Sequence, residues 1–300
     1  MRRHRTTARG ILLLLLFSIS AATAGAHAAK PPARIVFPVL GDVAYSDDFG
    51  APRPGGPHQG IDILAAKRSL ALAAEPGKIK FWTTSRTAGC MLYLYGASGT
   101  TYEYIHLNND LTRGNDNRGK CVAGTAYATG LKDGSRVAAG EPVGFVGDSG
   151  DADGAHAHLH FELHPFGGRA ADPYRYLRSA ERLLFAAPPG TVVTLGLAGT
   201  VVSATPDSLQ VKVARVDATS LNQHQKRLRR TLLLTVSPST MVQIAPAGAA
   251  RARAAKLANA EPGQSVSVVT QPGQATLAAE RGDDLALAAG LVVLQPVKKP

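Results

Sequence analysis

The 300-residue chain has two cysteines, one tryptophan and eleven fewer acidic than basic residues, and no apolar stretch long enough to span a bilayer. Each shortage excludes something. Two isolated cysteines rule out a disulfide-dense scaffold and make a cysteine-ligated zinc knuckle untenable. The longest strongly apolar run, residues 11–17, falls well short of the roughly 20 residues a spanning helix needs. Beyond about Gly190 there is no Phe, Trp, Tyr or Cys, which leaves no aromatic platform for stacked bases and argues against nucleic acid as a partner.

The chain does have a basic head, an apolar run and a string of small residues, "MRRHRTTARGILLLLLFSISAATAGAHA". This is the pattern of a secretory signal over residues 1–28, and its removal would leave no membrane span. It carries four arginines, so the formal charge of +11 falls to about +7 on the mature chain. Export would place Cys90 and Cys121 in an oxidising compartment, where one disulfide is the first expectation and two unpaired thiols the alternative.

A chain of this length suggests two domains, and the composition divides it. Over residues 29–186, short β-rich runs are broken by glycine ("KIKFWTT", "CMLYLYG", "TTYEYIHL", "PVGFVGD", "HLHFELH"), which indicates an antiparallel β domain. "ADPYRYLRSAERLLF" is the one helical candidate, and residues 108–130 read as a long surface loop. After the linker "AAPPGT", residues 187–300 alternate apolar and polar positions between Pro, Gly, Asp and Ser turns, predicting a small β-barrel or sandwich of OB-like pattern. The whole protein is therefore expected to be mainly β. "KRLRR" at 226–230 reads as a solvated hairpin tip, and "AGAARARAAKLA" as a short helix or a basic loop.

Four of the nine histidines crowd into "DGAHAHLHFELH". In a strand, alternate side chains share a face, so His158 and His160 point together while Leu159 and Phe161 face the core. The same alternation in "HQGIDIL" groups His58, Gly60 and Asp62. Two histidines and one aspartate from two strands suit a zinc site with an open fourth position; solvated surface histidines are the alternative.

"HQGIDILA", "TYEYIHL" and "GDSGDADGAHAHLHFEL", in that order, resemble the M23 (LytM, lysostaphin-type) zinc metallopeptidases, over nearly half of the chain. The resemblance implies zinc held by His58, Asp62 and His160. It implies that His106 and His158 serve catalysis, taking a proton from the attacking water, protonating the leaving amine and steadying the oxyanion. "HLHFEL" fixes the register better than "HAHLH", which leaves His156 and His164 with lesser claims. By alternation Tyr102 and Tyr104 should share the His106 face, Glu103 should point away into solvent, and Glu162 should be able to orient a ligand.

The implied activity is endopeptidase cleavage of bacterial peptidoglycan, in stem or bridge peptides. A basic, exported chain would also be drawn to anionic wall polymers. A catalytically silent relative that activates another hydrolase, or a wall-binding protein, is the alternative reading.

Overall fold

The computed structural model describes residues 34–188, 190–227, 230–246, 251–274 and 287–296, so the expected signal segment lies outside the described residues. The first half is built on a seven-stranded antiparallel sheet. Its spatial order is Val43–Ala44, Ile61–Ala65, His158–His164, Thr101–Leu107, Cys90–Gly96, Gly77–Trp82 and Arg136–Val137. The strand carrying three of the histidines is therefore central, flanked by the two other strands that the motifs named.

Alternation decides what these strands bury. Ile61, Ile63, Leu92, Leu94, Tyr102, Tyr104, Leu159, Phe161 and Leu163 are fully buried on one side of the sheet and form its core. Tyr104 fits there because its hydroxyl is satisfied: it donates to the Leu72 carbonyl and accepts from the Ala74 amide, both at 2.8 Å. Core packing thus fixes the register of the central strands, and with it the polar residues on their other side.

The loop over residues 108–130 is tied down at two points. Cys90 and Cys121 form a disulfide with their Cα atoms 5.1 Å apart. The Asp110 carboxylate accepts the amides of Asp116 and Asn117 at 2.6 and 2.7 Å. Under non-reducing conditions Cys121→Ser is expected to lower the free energy of unfolding by about 2–5 kcal/mol, measured by urea titration.

The helix is shorter than its sequence suggests. Only Tyr174–Ser179 is α-helical, after Pro173. Ala180 turns extended, and Glu181 pairs by backbone with the N-terminal segment, its amide bonding Ile35 O and its carbonyl accepting Phe37 N. Long-range pairing overrides helix propensity there. Leu184, Phe185 and Ala187 pack into a second core, so the chain is already packed against the second half where the expected linker begins.

That second core is enclosed by five strands. Gly196–Ala204 pairs with Ser208–Ala218, which pairs with Arg230–Thr235; this strand runs parallel to Leu287–Leu294, which pairs with Ser265–Thr270, which returns to Gly196–Ala204. The ring is closed, as in a small barrel. Its interior is aliphatic, including Val201, Val211, Val213, Leu232, Val268 and Val292. The "AGAARARAAKLA" segment is neither an α-helix nor a free loop where it is described. Arg253–Ala254 pairs with the Met241–Ile244 strand, and Leu257 is buried in this core. Of "KRLRR", Leu228 and Arg229 lie outside the described residues, and Arg230 starts a strand.

Candidate active site

On the sheet face opposite the first core, His160 and Asp62 are directly opposed partners on adjacent antiparallel strands. His58 reaches them differently from the simple alternation of "HQGIDIL", because the strand starts only at Ile61. His58 instead pairs by backbone with Gly50 and Ala51 beside a short hairpin, and the chain then drops into the strand through Gly60. A Cβ at Gly60 would sit 2.6 Å from the Phe161 carbonyl and 2.8 Å from His160 Nε2. Glycine is required for that close approach.

The three side chains converge tightly. His58 Nε2 is 2.8 Å from His160 Nδ1, and Asp62 Oδ1 lies 3.1 and 3.0 Å from these two nitrogens. The outer ring nitrogens are engaged elsewhere: His58 Nδ1 with the Asp48 carbonyl at 3.0 Å and His160 Nε2 with Glu162 Oε1 at 2.9 Å. Since carbonyls and carboxylates only accept, those outer nitrogens carry the ring protons. The inner atoms of two neutral rings and an ionised Asp62 are then three acceptors facing one point with no donor among them. Such a cluster demands a proton or a cation at its centre, and these three residues could hold a metal ion.

The electrostatics carry the same demand. Burial opposes a charged His160, but the hydrogen bonds to Asp62 and Glu162 outweigh it and raise the ring's pKa to about 9. Burial likewise opposes ionisation of Asp62, yet its His160 bond and the surrounding histidines hold the carboxyl below the usual range. Arg53 adds its Nη2 at 2.9 Å from Asp62 Oδ2 and 3.2 Å from Asp48 Oδ2.

His106 arrives by an irregularity. Its strand pairs Cys90 with Leu107 but Leu92 with Tyr104, so two residues of one strand oppose a single residue of the other, a β-bulge. His106 has φ of 61°, and the bulge turns its ring away from the side where Tyr102 and Tyr104 are buried. The alternation expected for this strand therefore fails at its end. Glu103 is also misplaced by that expectation: it is the cross-strand partner of Glu162, on the histidine face and only partly exposed.

The His106 ring nitrogen Nδ1 bonds the Ser149 carbonyl at 2.8 Å, and its ring centroid is 5.0 Å from that of His158. Burial chiefly, against that hydrogen bond, pushes the His106 pKa down to about 4, so the ring is neutral near pH 7. His158 Nδ1 bonds the His156 carbonyl at 2.9 Å, leaving its Nε2 3.7 Å from Asp62 Oδ1. One cleft is lined by Arg53, His58, Asp62, His106, His158 and His160. The His156 side chain lies outside it, beside Asp42 and Leu64. Asp48, Arg53 and Ser149 also shape the site; none was given a role from the sequence, although Ser149 lies within the "GDSGDADGAHAHLHFEL" motif.

Residues 56–173 match the model of peptidase family M23. These residues form an M23 peptidase domain. The chain is 27% identical over 156 residues to the L-Ala--D-Glu endopeptidase of Bacillus subtilis (strain 168), covering 48% of this chain and 43% of that protein. Among solved structures, the catalytic domain of the antimicrobial peptidase lysostaphin from Staphylococcus simulans is 26% identical, with 46% of this chain and 93% of that chain covered at a TM-score of 0.36. A zinc-containing peptidase from Vibrio cholerae is 19% identical, with 46% and 38% covered at a TM-score of 0.33. The chain thus spans less than half the length of the curated relative it matches. All five residues singled out by the motifs lie inside the M23 domain.

Proposed function

We propose that the protein is an exported zinc-dependent endopeptidase that hydrolyses peptide bonds of bacterial peptidoglycan. The observation that carries this reading is the convergence of three acceptor atoms, from His58, Asp62 and His160, beside two further histidines within an M23 domain. Zinc in that cluster would polarise the scissile carbonyl and lower the pKa of the attacking water toward about 7.

The protein supplies the remaining roles. Asp48 and Glu162 fix the tautomers of His58 and His160 from outside. Ser149 and the His156 carbonyl do the same for His106 and His158, so each presents Nε2 to the cleft. A neutral imidazole there accepts a proton from the attacking water, and the resulting imidazolium returns it to the leaving amine. Before that proton is passed on, the Nε2–H of the imidazolium would steady the negative charge developing on the carbonyl oxygen.

The test uses the mature chain, peptidoglycan and soluble stem and bridge peptides, with release of new amino groups as the readout. Cleavage is expected with zinc, to be lost on chelation, to return with one added equivalent, and to be absent with His160→Ala. Zinc-loaded protein that cleaves neither stem nor bridge peptides would overturn the endopeptidase reading.

A further inference from the structure

Beside the histidine cluster, the same sheet face holds a second arrangement, of which the proposed reaction uses only one oxygen of Glu162. Glu162 and Glu103 are directly opposed across adjacent antiparallel strands, a position where two carboxylates destabilise each other unless something positive lies between them. His164 follows Glu162 by two residues and so shares its face. Its Nε2 lies 2.7 Å from Glu162 Oε2 and 3.4 Å from Glu103 Oε1.

The histidine is held in the orientation a metal ligand needs. Its Nδ1 is 2.9 Å from the Gly168 carbonyl, which only accepts, so Nδ1 bears the proton and a neutral ring directs its Nε2 lone pair at the two carboxylates. The carbonyl is fixed by the Pro165–Gly167 turn, which the Gly168 amide closes on Pro165 O and in which Phe166 adopts φ of 54°. Three ligand atoms, one each from Glu103, Glu162 and His164, lie within 4.8 Å of one another. The Glu103 and His164 side chains are 19% and 14% exposed, so the cluster is open to exchange with solvent.

We propose that Glu103, Glu162 and His164 form a second divalent-metal site, with zinc as the fitting ion, that shares Glu162 with the first cluster. One imidazole and two carboxylates are a donor set that zinc accepts. Glu162 divides its oxygens, Oε1 to the His160 ring and Oε2 to His164. An ion at the second site draws on the carboxylate that orients His160, and occupancy of the two sites is therefore coupled.

Zinc titration of the mature wild-type chain against a competing indicator, with native mass spectrometry for stoichiometry, tests this. Two ions per chain are expected, in a tight and a weaker class. Glu103→Gln, which preserves shape, and His164→Ala should each lose the weaker class and keep the tight one. His160→Ala should lose the tight class and keep the weaker, which separates this inference from the proposed reaction. One ion per chain in saturated wild type would mean that the second cluster holds only a proton; that outcome overturns the proposal, as does retention of two ions by both Glu103→Gln and His164→Ala.

Discussion

In the His106→Ala variant, cleavage of cell-wall peptides is expected to fall by about 10²–10⁴-fold while bound zinc stays at the wild-type level. His106 is set apart from the three converging acceptors: its Nδ1 is committed to Ser149, and its ring faces His158. Its loss should therefore remove proton handling without removing a metal ligand. Amine release and metal content measured on the same preparation decide the matter, and loss of zinc together with activity would make His106 a ligand. The same ring gives a pH signature to the metal-free protein. Its folded pKa of about 4 lies below the ordinary histidine value of 6.5, so the unfolded chain takes up the proton first. Stability from the neutral ring is present above pH 6.5 and is lost as pH falls through 4, and His106→Gln should flatten that part of a urea-midpoint profile.

Lys67→Met is expected to cost about 3–5 kcal/mol of stability, read as a lowered urea midpoint. Lys67 Nζ bridges Asp110 Oδ2 at 2.6 Å and Asp148 Oδ2 at 2.8 Å, and both carboxylates are essentially inaccessible to water. Burial opposes a charged lysine, but the two aspartates prevail and raise its pKa; burial opposes ionised Asp110, but Lys67 and two amides prevail and lower it. Methionine fills similar space and leaves two buried negative charges facing each other. The internal control is Lys80→Met, which breaks an ion pair with Asp133 in which both side chains are about half exposed. That change should cost less than about 1 kcal/mol. Equal effects would show that burial is not what makes the Lys67 bridge matter.

Much of the site was legible because it obeys strand alternation. His158, His160 and Glu162 face together while Leu159, Phe161 and Leu163 fill the core, as a period of two requires. Sequence reading failed where the backbone leaves that period. The bulge at Ile105 and His106 reverses the relation between His106 and its tyrosines, so Glu103, which alternates regularly with Tyr102 and Tyr104, shares the histidine face after all. His58 belongs to a turn whose partner is the segment around Gly50, a pairing that no local pattern announces. The helix was overextended for a related reason: residues after Ala180 find backbone partners nearly 150 positions earlier in the chain, and these outcompete local preference. The barrel was readable in kind from its alternating aliphatic strands. Its closure through the parallel contact of Leu234 with Leu287 was not, because parallel partners distant in sequence leave no turn signal.

At the joint between the two halves, side chains of the barrel half also grip the main chain of residues 182–186. Gln223 accepts the Ala186 amide and donates to the Ala186 carbonyl, Gln225 donates to the carbonyls of Leu183 and Leu184, and Arg230 donates to that of Arg182. These bonds reach groups that the main chain offers whatever the side chain, while Leu184 and Phe185 bury their own side chains in the barrel core, so backbone and side chain hold this stretch together. Two glutamines and an arginine thus add polar contacts to a joint that is also apolar. If the proposed activity holds, a site whose domain is bonded to its neighbour in this way is carried more like the head of a tool on its handle than like a weight on a leash.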